Sequence, residues 1–192
     1  MARIDPPADD ALTPEVKQGF AMSEAFMGFL PNSAISMAHW PELSQTFGPF
    51  AANILAGGEL SRSLKNMIAA VTSSAAGCEY CMAHTTHQAQ RAGGDADKVA
   101  KVWEYQTSDL FDDAERAALD LALAGGQIPN ATTDAHFDEL KKHYSDKQIV
   151  EIVAVIALFG FLNRYNDTIG SELEAVPLKF AQETFAGRDW SA

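Results

Sequence analysis

Two cysteines, Cys78 and Cys81, are the residues whose types and spacing most clearly indicate chemistry. They are the only cysteines in the 192-residue chain, and they are three positions apart. Such a pair cannot join distant parts of the chain, so its purpose is local. On a helix the two side chains share one face, and the dipole at the helix start makes a thiolate easier to form. The pair is therefore typical of a dithiol redox site.

Histidines follow the cysteines at the same spacing, so the segment must also be weighed as a zinc site. Four potential ligands recur at every third residue: Cys78, Cys81, His84 and His87. On one straight helix, three such steps rotate the side chain by roughly 180° and separate the ends by roughly 13 Å. Tetrahedral zinc would need ligands from elsewhere, such as His136 or His143. We favour the dithiol over zinc, and over two cysteines that serve only as small buried hydrophobes. No metal and no cofactor is expected.

His84 is the candidate base for this dithiol. It lies one helical turn after Cys81, so its imidazole could accept the proton of that thiol. Thr85 flanks the same stripe, and His87 could orient His84 or be a solvated surface histidine. We predict that Cys81 is the nucleophile and that Cys78 resolves it to a disulfide. The roles could be reversed, because Cys78 is better placed toward the helix dipole.

The elements that position these residues are predicted to be helices. Gly77 is suited to end one helix, and the run from Cys78 to Arg91, without glycine or proline, predicts the next. Further helix starts carry a capping residue or an early proline: Thr13-Pro14, Trp40-Pro41-Glu42, Asp112 with Glu115, and Ser145 with Gln148. The nearest strand-like run, Val71 to Ser73, lies inside a helical stripe. The fold class is therefore all-α, with the CxxC at the N-terminus of a core helix.

Two patterns predict where the chain is buried and where helices end. The apolar run from Ile149 to Leu162 repeats at helical spacing on nearly every face, which predicts the central buried helix. The polar residues that follow, 163–166, are interpreted as a surface patch, with a polar lining or a subunit contact as alternatives. Three triplets are each predicted to close a helix through a left-handed glycine: Ala56-Gly57-Gly58, Ala92-Gly93-Gly94 and Ala124-Gly125-Gly126.

Charge and composition exclude several classes of protein. The net charge is −12, with 14 Lys and Arg against 26 Asp and Glu, so the surface repels nucleic acid and anionic lipid. No targeting segment is visible, and the longest apolar run is judged too short to span a bilayer, so the cytoplasm is expected. The polar ends, 1–12 and 185–192, are predicted to be arms around one helical domain at 13–184.

The cysteine segment in its helical context resembles a known family. Leu60-Ser61-Arg62, a helix, then Gly77-Cys78-Glu79-Tyr80-Cys81 and His84 look like the alkylhydroperoxidase D-like branch of the carboxymuconolactone decarboxylase family. Residues 112–119 and 161–164 also fit its peroxidase-related members, so the resemblance covers roughly 13–180. It implies an all-α fold, trimers or hexamers, and a thiol peroxidase that reduces alkyl hydroperoxides. It also implies a thiol or lipoyl-bearing protein as the reductant.

Two positions depart from the motif of this family. The family's redox motif is Glu, eleven residues, Cys-x-x-Cys, three residues, His, and these Glu and His positions hold Asn66 and Thr85 here. Asn66 cannot carry a proton, and Thr85 is a poor base. Either His84 substitutes, with Glu59 or Glu79 as its acid, or peroxidase activity is weak and the task differs.

Three functional hypotheses follow from these residues. The first is a cysteine-dependent peroxidase or disulfide oxidoreductase, with Cys78, Cys81 and His84 catalytic. Supporting residues would be Asn66, Glu79, Tyr80, Thr85 and His87. The second is a cofactor-free lyase or isomerase like the family's decarboxylases, and the third is a non-enzymatic redox sensor or binding protein. Because the first needs an accessible thiol, it predicts a solvent-filled mouth lined by Tyr80 and by Phe159 or Tyr165.

Overall fold

The capping residues and apolar periodicity of this chain produce helices along its whole length. The computed structural model describes residues 2–185 and 190, and within them it contains ten α-helices, two short 3-10 helices and no strand. The α-helices are α1 (Pro14–Met27), α2 (Asn32–Met37), α3 (Pro41–Ala56), α4 (Arg62–Ala76), α5 (Glu79–Arg91), α6 (Ala96–Ala100), α7 (Asp113–Gly126), α8 (Asp134–Leu140), α9 (Asp146–Ile169) and α10 (Ala175–Thr184). The 3-10 helices are Asp9–Ala11 and Val102–Glu104. The predicted all-α class is confirmed.

The predicted helix starts are made by the predicted caps. The Thr13 hydroxyl accepts from the backbone N–H of Val16, which begins α1. Complete capping boxes start α7, from Asp112 and Glu115, and α9, from Ser145 and Gln148. In each box the cap accepts an N–H of the helix while the third residue accepts the N–H of the cap. Local hydrogen bonding therefore fixes where the core helices begin.

The centre of the fold is α4, not α9 as the sequence predicted. Every residue from Lys65 to Ser73 is buried, and α4 packs against α5, α7 and α9. The outer face of α9 is open, because Val150, Val153 and Phe161 are 66%, 41% and 42% exposed. Hydrophobicity on every face of α9 therefore does not mean burial on every face.

By length and composition, α9 is the one helix among the described residues that is long and apolar enough to cross a membrane. It has 24 residues and a window of mean hydropathy 1.5. It extends from Asp146 to Ile169, beyond the Ile149–Leu162 run, which alone is too short for a span. Core helices of soluble proteins pass the same test, and α9 packs against four other helices, α3, α4, α5 and α7.

The three Ala-Gly-Gly triplets lie where helices end, but they do not all end them in the predicted way. Gly58 and Gly93 have left-handed torsions, as predicted. α7 ends at Gly126, but neither Gly125 nor Gly126 is left-handed, so that part of the prediction was wrong. A Cβ at Gly126 would lie 2.7 Å from the backbone oxygen of Thr72. Gly126 therefore allows α7 to approach α4 closely.

A buried ion pair holds the α3–α4 connection against α9. Lys65 Nζ lies 3.0 Å from Glu151 Oε2 and donates to the backbone oxygen of Ile54 at 2.9 Å. The Glu151 carboxylate also accepts the backbone N–H groups of Glu59 and Leu60, at 2.8 and 3.1 Å. Both charges are thus paired and hydrogen-bonded, which a buried charge requires.

The N-terminal arm reaches the end of α9. The Arg3 guanidinium donates to the backbone oxygens of Asp167 and Thr168, at 2.7 Å each. The backbone N–H of Arg3 donates to the backbone oxygen of Ile169. These carbonyls have no partner further along the helix. Of the predicted C-terminal arm, residues 186–189, 191 and 192 lie outside the described residues. The domain boundaries stay predictions.

Candidate active site

Gly77 sets the position of the first cysteine. It ends α4 with φ 77° and ψ 16°, torsions that favour glycine, and the N–H of Cys78 then donates to the oxygen of Ser73 at 3.0 Å. Cys78 is the N-cap of α5, with extended torsions, so it immediately precedes the helix rather than lying in its first turn. Cys81 is the third residue of α5, as its spacing from Cys78 predicts.

The two sulfur atoms are reduced, adjacent and buried. Both cysteines are free, and Cys78 and Cys81 are 0% and 2% exposed. The Cys78 thiol donates a hydrogen bond to Cys81, and this bond, followed by burial and by the negative charge of a Cys81 thiolate, raises the pKa of Cys78. The raised pKa favours the protonated form of the Cys78 thiol.

The end of α9 supplies the polar partners of both sulfurs. Asn166 Nδ2 donates to Cys81 Sγ at 3.4 Å, and the Ser171 hydroxyl donates to Asn166 Oδ1 at 2.8 Å. The serine thereby orients the amide so that its NH₂ group faces the sulfur. The Asp167 carboxylate hydrogen-bonds the Cys78 thiol and further raises its pKa. Donation to Cys81 stabilises negative charge on that sulfur.

This arrangement corrects the interpretation of residues 163–166 as a surface patch. Asn163 and Asn166 are each 2% exposed. They are three residues apart and therefore share the face of α9 that packs inward. A weak signal was available in the sequence, because two asparagines repeat at helical spacing directly after the apolar run.

A carboxylate that sequence reasoning missed pairs with His84. Glu174, the N-cap of α10, lies with its Oε2 2.6 Å from His84 Nε2. Its Oε1 accepts from the Tyr80 hydroxyl at 2.9 Å and from the backbone N–H of Asn32 at 2.5 Å. Burial alone would raise the pKa of Glu174, but the hydrogen bond and charge of His84 and the Asn32 N–H outweigh it and lower the pKa. Burial and then the charge of Glu174 raise the pKa of Tyr80.

In the described contacts, the His84 ring bonds to the carboxylate of Glu174 and not directly to either thiol. Its ring lies 4.2 Å from that of Tyr80 and 5.0 Å, edge-on, from that of Phe29. Its described hydrogen bond goes to Glu174. The sequence placed it one turn after Cys81, and the structure keeps that place on α5. The carboxylate that pairs with it is Glu174, where the sequence suggested Glu59 or Glu79.

The other predicted supporting residues hold the local structure. Asn66 Nδ2 donates to the oxygen of Arg62 at 2.8 Å, and the Thr85 hydroxyl donates to the oxygen of Cys81 at 2.7 Å, both within their own helices. Glu59 pairs with Lys147 at 2.7 Å. Glu79 is the first residue of α5 and is half-buried.

His87 packs against aromatic side chains on the far side of His84. Its ring lies 5.9 Å from that of Phe29 and 5.3 Å from that of Phe180. Burial, then the charges of His84 and Arg91, lower its pKa. His87 is therefore neutral near pH 7.

Within residues 2–185 and 190, the predicted solvent-filled mouth is not open at the cysteines, which are 0% and 2% exposed. Tyr80 and Phe159 are buried. Tyr165 lines a groove of about 960 Å³, but this groove lies on the outer face of α9, with Phe161 and Arg164, and neither cysteine lines it. The contacts of Asn166 and Asp167 instead cover the sulfurs. Among the described residues, no group of three or more His, Cys, Asp or Glu side chains is arranged to hold a metal ion.

Comparison with known proteins gives one family. Residues 41–124 match the carboxymuconolactone decarboxylase family. The protein YnjA of Escherichia coli, which is uncharacterized, is 32% identical over 92 residues, or 48% of this chain. That match spans half the length of YnjA.

Solved structures match over nearly the whole chain. The debrominase Bmp8 is 40% identical, with a TM-score of 0.86 over 93% of this chain and 96% of Bmp8. A cysteine-to-alanine variant of Bmp8 in complex with 2,3,4-tribromopyrrole is 38% identical, with a TM-score of 0.89 over 96% of this chain and all of the variant. An uncharacterized peroxidase-related protein from Ralstonia eutropha JMP134, with an alkylhydroperoxidase AhpD core, is 26% identical, with a TM-score of 0.82 over 92% of this chain and 94% of that one.

Proposed function

Because the chain belongs to the carboxymuconolactone decarboxylase family, in its alkylhydroperoxidase D-like branch, we propose that it is a dithiol enzyme that reduces hydroperoxides. The observation that carries this proposal is the pair of reduced sulfurs at the start of α5. There the Cys78 thiol donates to Cys81, while Asn166 donates to Cys81 from α9. One sulfur is placed to carry the negative charge that the attack on the hydroperoxide requires, and the other lies beside it, where it gives up its proton when it attacks the sulfenic acid.

The proposed reaction uses each sulfur once. The Cys81 thiolate attacks the terminal oxygen of R–O–O–H, the O–O bond breaks, and Cys81 becomes a sulfenic acid while the alcohol leaves after gaining a proton. The Cys78 sulfur then attacks the Cys81 sulfur. This step forms the disulfide and releases water, so one hydroperoxide and two thiols give one disulfide, one alcohol and one water.

The proposed proton source is the pair of His84 and Glu174. Glu174 is ionised near pH 7, because its pKa is lowered, and it holds the imidazole at 2.6 Å. A carboxylate in this position stabilises the imidazolium and fixes which ring nitrogen carries a proton. In this proposal, Glu174 on α10 supplies the carboxylate that the family places at the position of Asn66.

The partners and setting of the enzyme follow the same proposal. A thiol or lipoyl-bearing reductant exchanges with the Cys78–Cys81 disulfide and regenerates both thiols. The chain is proposed to act in the cytoplasm as a homo-oligomer, a trimer or hexamer. Its net charge of −12 argues against nucleic acid and anionic membranes as partners.

Reductive debromination is the second candidate, favoured by the 40% identity to Bmp8 over nearly the full length of both chains. It consumes the same two electrons. An aryl bromide and two thiols give the arene, a disulfide and hydrogen bromide. Two other hypotheses differ in the role of the cysteines. In a cofactor-free lyase the cysteines would take no part in the reaction. In a redox sensor they would be oxidised without turnover of a substrate.

One set of measurements separates these functions. Hydrogen peroxide, tert-butyl hydroperoxide and 2,3,4-tribromopyrrole are each supplied to the reduced protein, with dihydrolipoamide as the reductant. We expect both hydroperoxides to remove two thiols per chain and to be turned over. Cys81→Ser should abolish this, and Cys78→Ser should stop at a sulfenic acid on Cys81 that dimedone traps. Debromination without peroxide turnover would select the second candidate, and inert thiols would exclude both.

A further inference from the structure

Among the described residues, a buried amide on α9, one turn before Asn166, has no hydrogen-bond partner. Asn163 on α9 is 2% exposed, and within residues 2–185 and 190 neither its Nδ2 nor its Oδ1 makes a hydrogen bond. Buried side-chain amides almost always have partners, because losing water without replacing its hydrogen bonds is destabilising. The N–H donors and the carbonyl oxygen of Asn163 are therefore available to bind a polar ligand.

The position of Asn163 relates this ligand to Cys81. Asn163 precedes Asn166 by three residues, so the two lie on one face of α9 about 4.5 Å apart along the helix axis. Asn166 is the residue that donates to Cys81 Sγ, at 3.4 Å. A small molecule held by Asn163 therefore lies within about one helical turn of the group that contacts the sulfur.

We propose that Asn163 binds the hydroperoxide group of the substrate and positions it for Cys81, an inference that rests on the proposed peroxidase function. A primary amide offers N–H donors and a carbonyl acceptor. The R–O–O–H group offers the complement, one O–H donor and two acceptor oxygens. Because the sulfurs are 0% and 2% exposed, the hydroperoxide reaches them only when the surrounding side chains move.

The hydrogen bonds of Asn163 assist the reaction as charge moves. The Cys81 sulfur forms a bond to the terminal oxygen, and the electron pair of the O–O bond leaves on the inner oxygen as an alkoxide. The Asn163 N–H donates to this inner oxygen, and its carbonyl accepts the O–H of the terminal one. Because the inner oxygen gains charge, this N–H···O bond strengthens in the transition state. The alkoxide then takes its proton from the His84–Glu174 pair.

The test compares Asn163→Leu with wild type using two reagents. The first is tert-butyl hydroperoxide. The second is methyl methanethiosulfonate, which reports thiolate reactivity and contains no O–O bond. We expect Asn163→Leu to lower the second-order rate constant with the hydroperoxide by about 10- to 100-fold, and to leave the rate with methyl methanethiosulfonate within about twofold. Equal rates with the hydroperoxide, or an equal fall with both reagents, would overturn the proposal.

The thermal stability of Asn163→Leu gives a second readout. A purely structural role of Asn163 would change Tm in the opposite direction from a ligand-binding role. Leucine has nearly the shape of asparagine and needs no hydrogen bond, so removal of an unpaired amide should raise Tm by a few degrees in the ligand-free protein. A fall in Tm, or failure to fold, would mean that Asn163 has a structural partner, such as a bound water, and would also overturn the proposal. Thr72→Val is the matched control, because the Thr72 hydroxyl is buried but satisfied by the oxygen of Ile68 at 2.9 Å.

The outcomes also separate this inference from the proposed function. A wild-type protein whose thiols react with methyl methanethiosulfonate but with no hydroperoxide would defeat the peroxidase function itself. A wild-type protein that reduces hydroperoxides, with Asn163→Leu equally fast, would defeat only the role of Asn163.

Discussion

His84 Nε2 and Glu174 Oε2 are 2.6 Å apart, although 90 positions separate the two residues in the chain. The histidine lies on α5 after the cysteines, and the glutamate caps α10. Hydrogen bonds to both oxygens hold the Glu174 carboxylate in place. The Tyr80 hydroxyl and the Asn32 N–H donate to Oε1, and His84 contacts Oε2. The dithiol helix is thereby tied to the last described helix by one carboxylate.

Loss of this carboxylate should slow the reaction while the thiols remain. We expect Glu174→Gln to lower kcat/KM for hydroperoxide about 10-fold, since the imidazolium loses its charged partner. Glu139→Gln is the matched control, because Glu139 also contacts a histidine, His143 at 3.3 Å, but at the surface. Steady-state assays of both variants check this. Equal activity of Glu174→Gln and wild type would remove Glu174 from the proposed relay.

The same carboxylate should make stability depend on pH in the acid range. The pKa of Glu174 is lowered from its ordinary value of 4.5 in the fold, so its ionised form stabilises the protein above about pH 4.5. That stabilisation is lost as the pH falls below 4.5 and through the folded pKa. We expect the difference in free energy of unfolding between wild type and Glu174→Gln to be largest near pH 6 and to shrink toward pH 3. Urea titrations across this range measure it, and a difference that grows toward acid pH would contradict the assigned direction.

Removal of Cys81 should make the Cys78 thiol easier to alkylate. The Cys78 pKa is raised first by its hydrogen bond to Cys81, then by burial, and then by the charge of Cys81. In Cys81→Ser the charge of the neighbouring thiolate is lost and the hydrogen bond to it is weakened, so the alkylation profile of Cys78 should move to lower pH. Asp167→Asn should move it less, because the Asp167 contact is a smaller cause. Mass spectrometry of iodoacetamide-treated protein at several pH values checks this, and an unmoved profile in Cys81→Ser would argue against coupling.

The left-handed residue before Cys78 should be sensitive to substitution for conformational reasons alone. Gly77 has φ 77°, and a Cβ there would meet nothing within 4 Å. Gly77→Ala should therefore lower the free energy of unfolding by about 1–2 kcal/mol from backbone strain. Gly19→Ala is the control, since Gly19 lies within α1 with open space around it, and it should stabilise by about 0.4–1 kcal/mol. Urea unfolding of both variants measures this, and two changes of the same sign would contradict the argument.

The buried ion pair between Lys65 and Glu151 should be costly to break. Lys65→Met leaves a largely buried Glu151 carboxylate without its cation, so we expect a loss of about 3 kcal/mol in the free energy of unfolding. Lys142→Met removes an equally direct but exposed contact with Glu139 and should leave stability near that of wild type. Chemical denaturation of the two variants side by side checks the difference.

Local signals in the sequence predicted the helices and the dithiol well. The caps at Thr13, Asp112 and Ser145 and the glycine at 77 act within a few residues, so the sequence contains all their partners. The same holds for Cys78 and Cys81, whose contact follows from their spacing. The start of α5 differed by one residue, because Cys78 has the torsions of a cap.

Contacts between distant helices could not be predicted in this way. Glu174 reaches His84, and Asn166 reaches Cys81, only after α10 and α9 have packed against α5. No spacing rule links those positions. Burial was misjudged for α9 because its apolar residues do not say which faces the neighbouring helices cover. Gly126 ends α7 without the predicted left-handed torsion, and its role is instead to allow the close approach of α7 to α4, which is a contact between helices.

Because Cys78 is the cap of α5 and not a member of its first turn, its own torsions can change when a sulfur bridge to Cys81 closes while the residues from Glu79 onward keep helical torsions. The carbonyl of Cys78 accepts from the N–H of Met82 at 3.0 Å, and every later turn continues from there. Helix α5 can thus stay intact while the two cysteines are repeatedly oxidised and reduced. Far-ultraviolet dichroism should consequently remain the same in both states, while thiol titration distinguishes them.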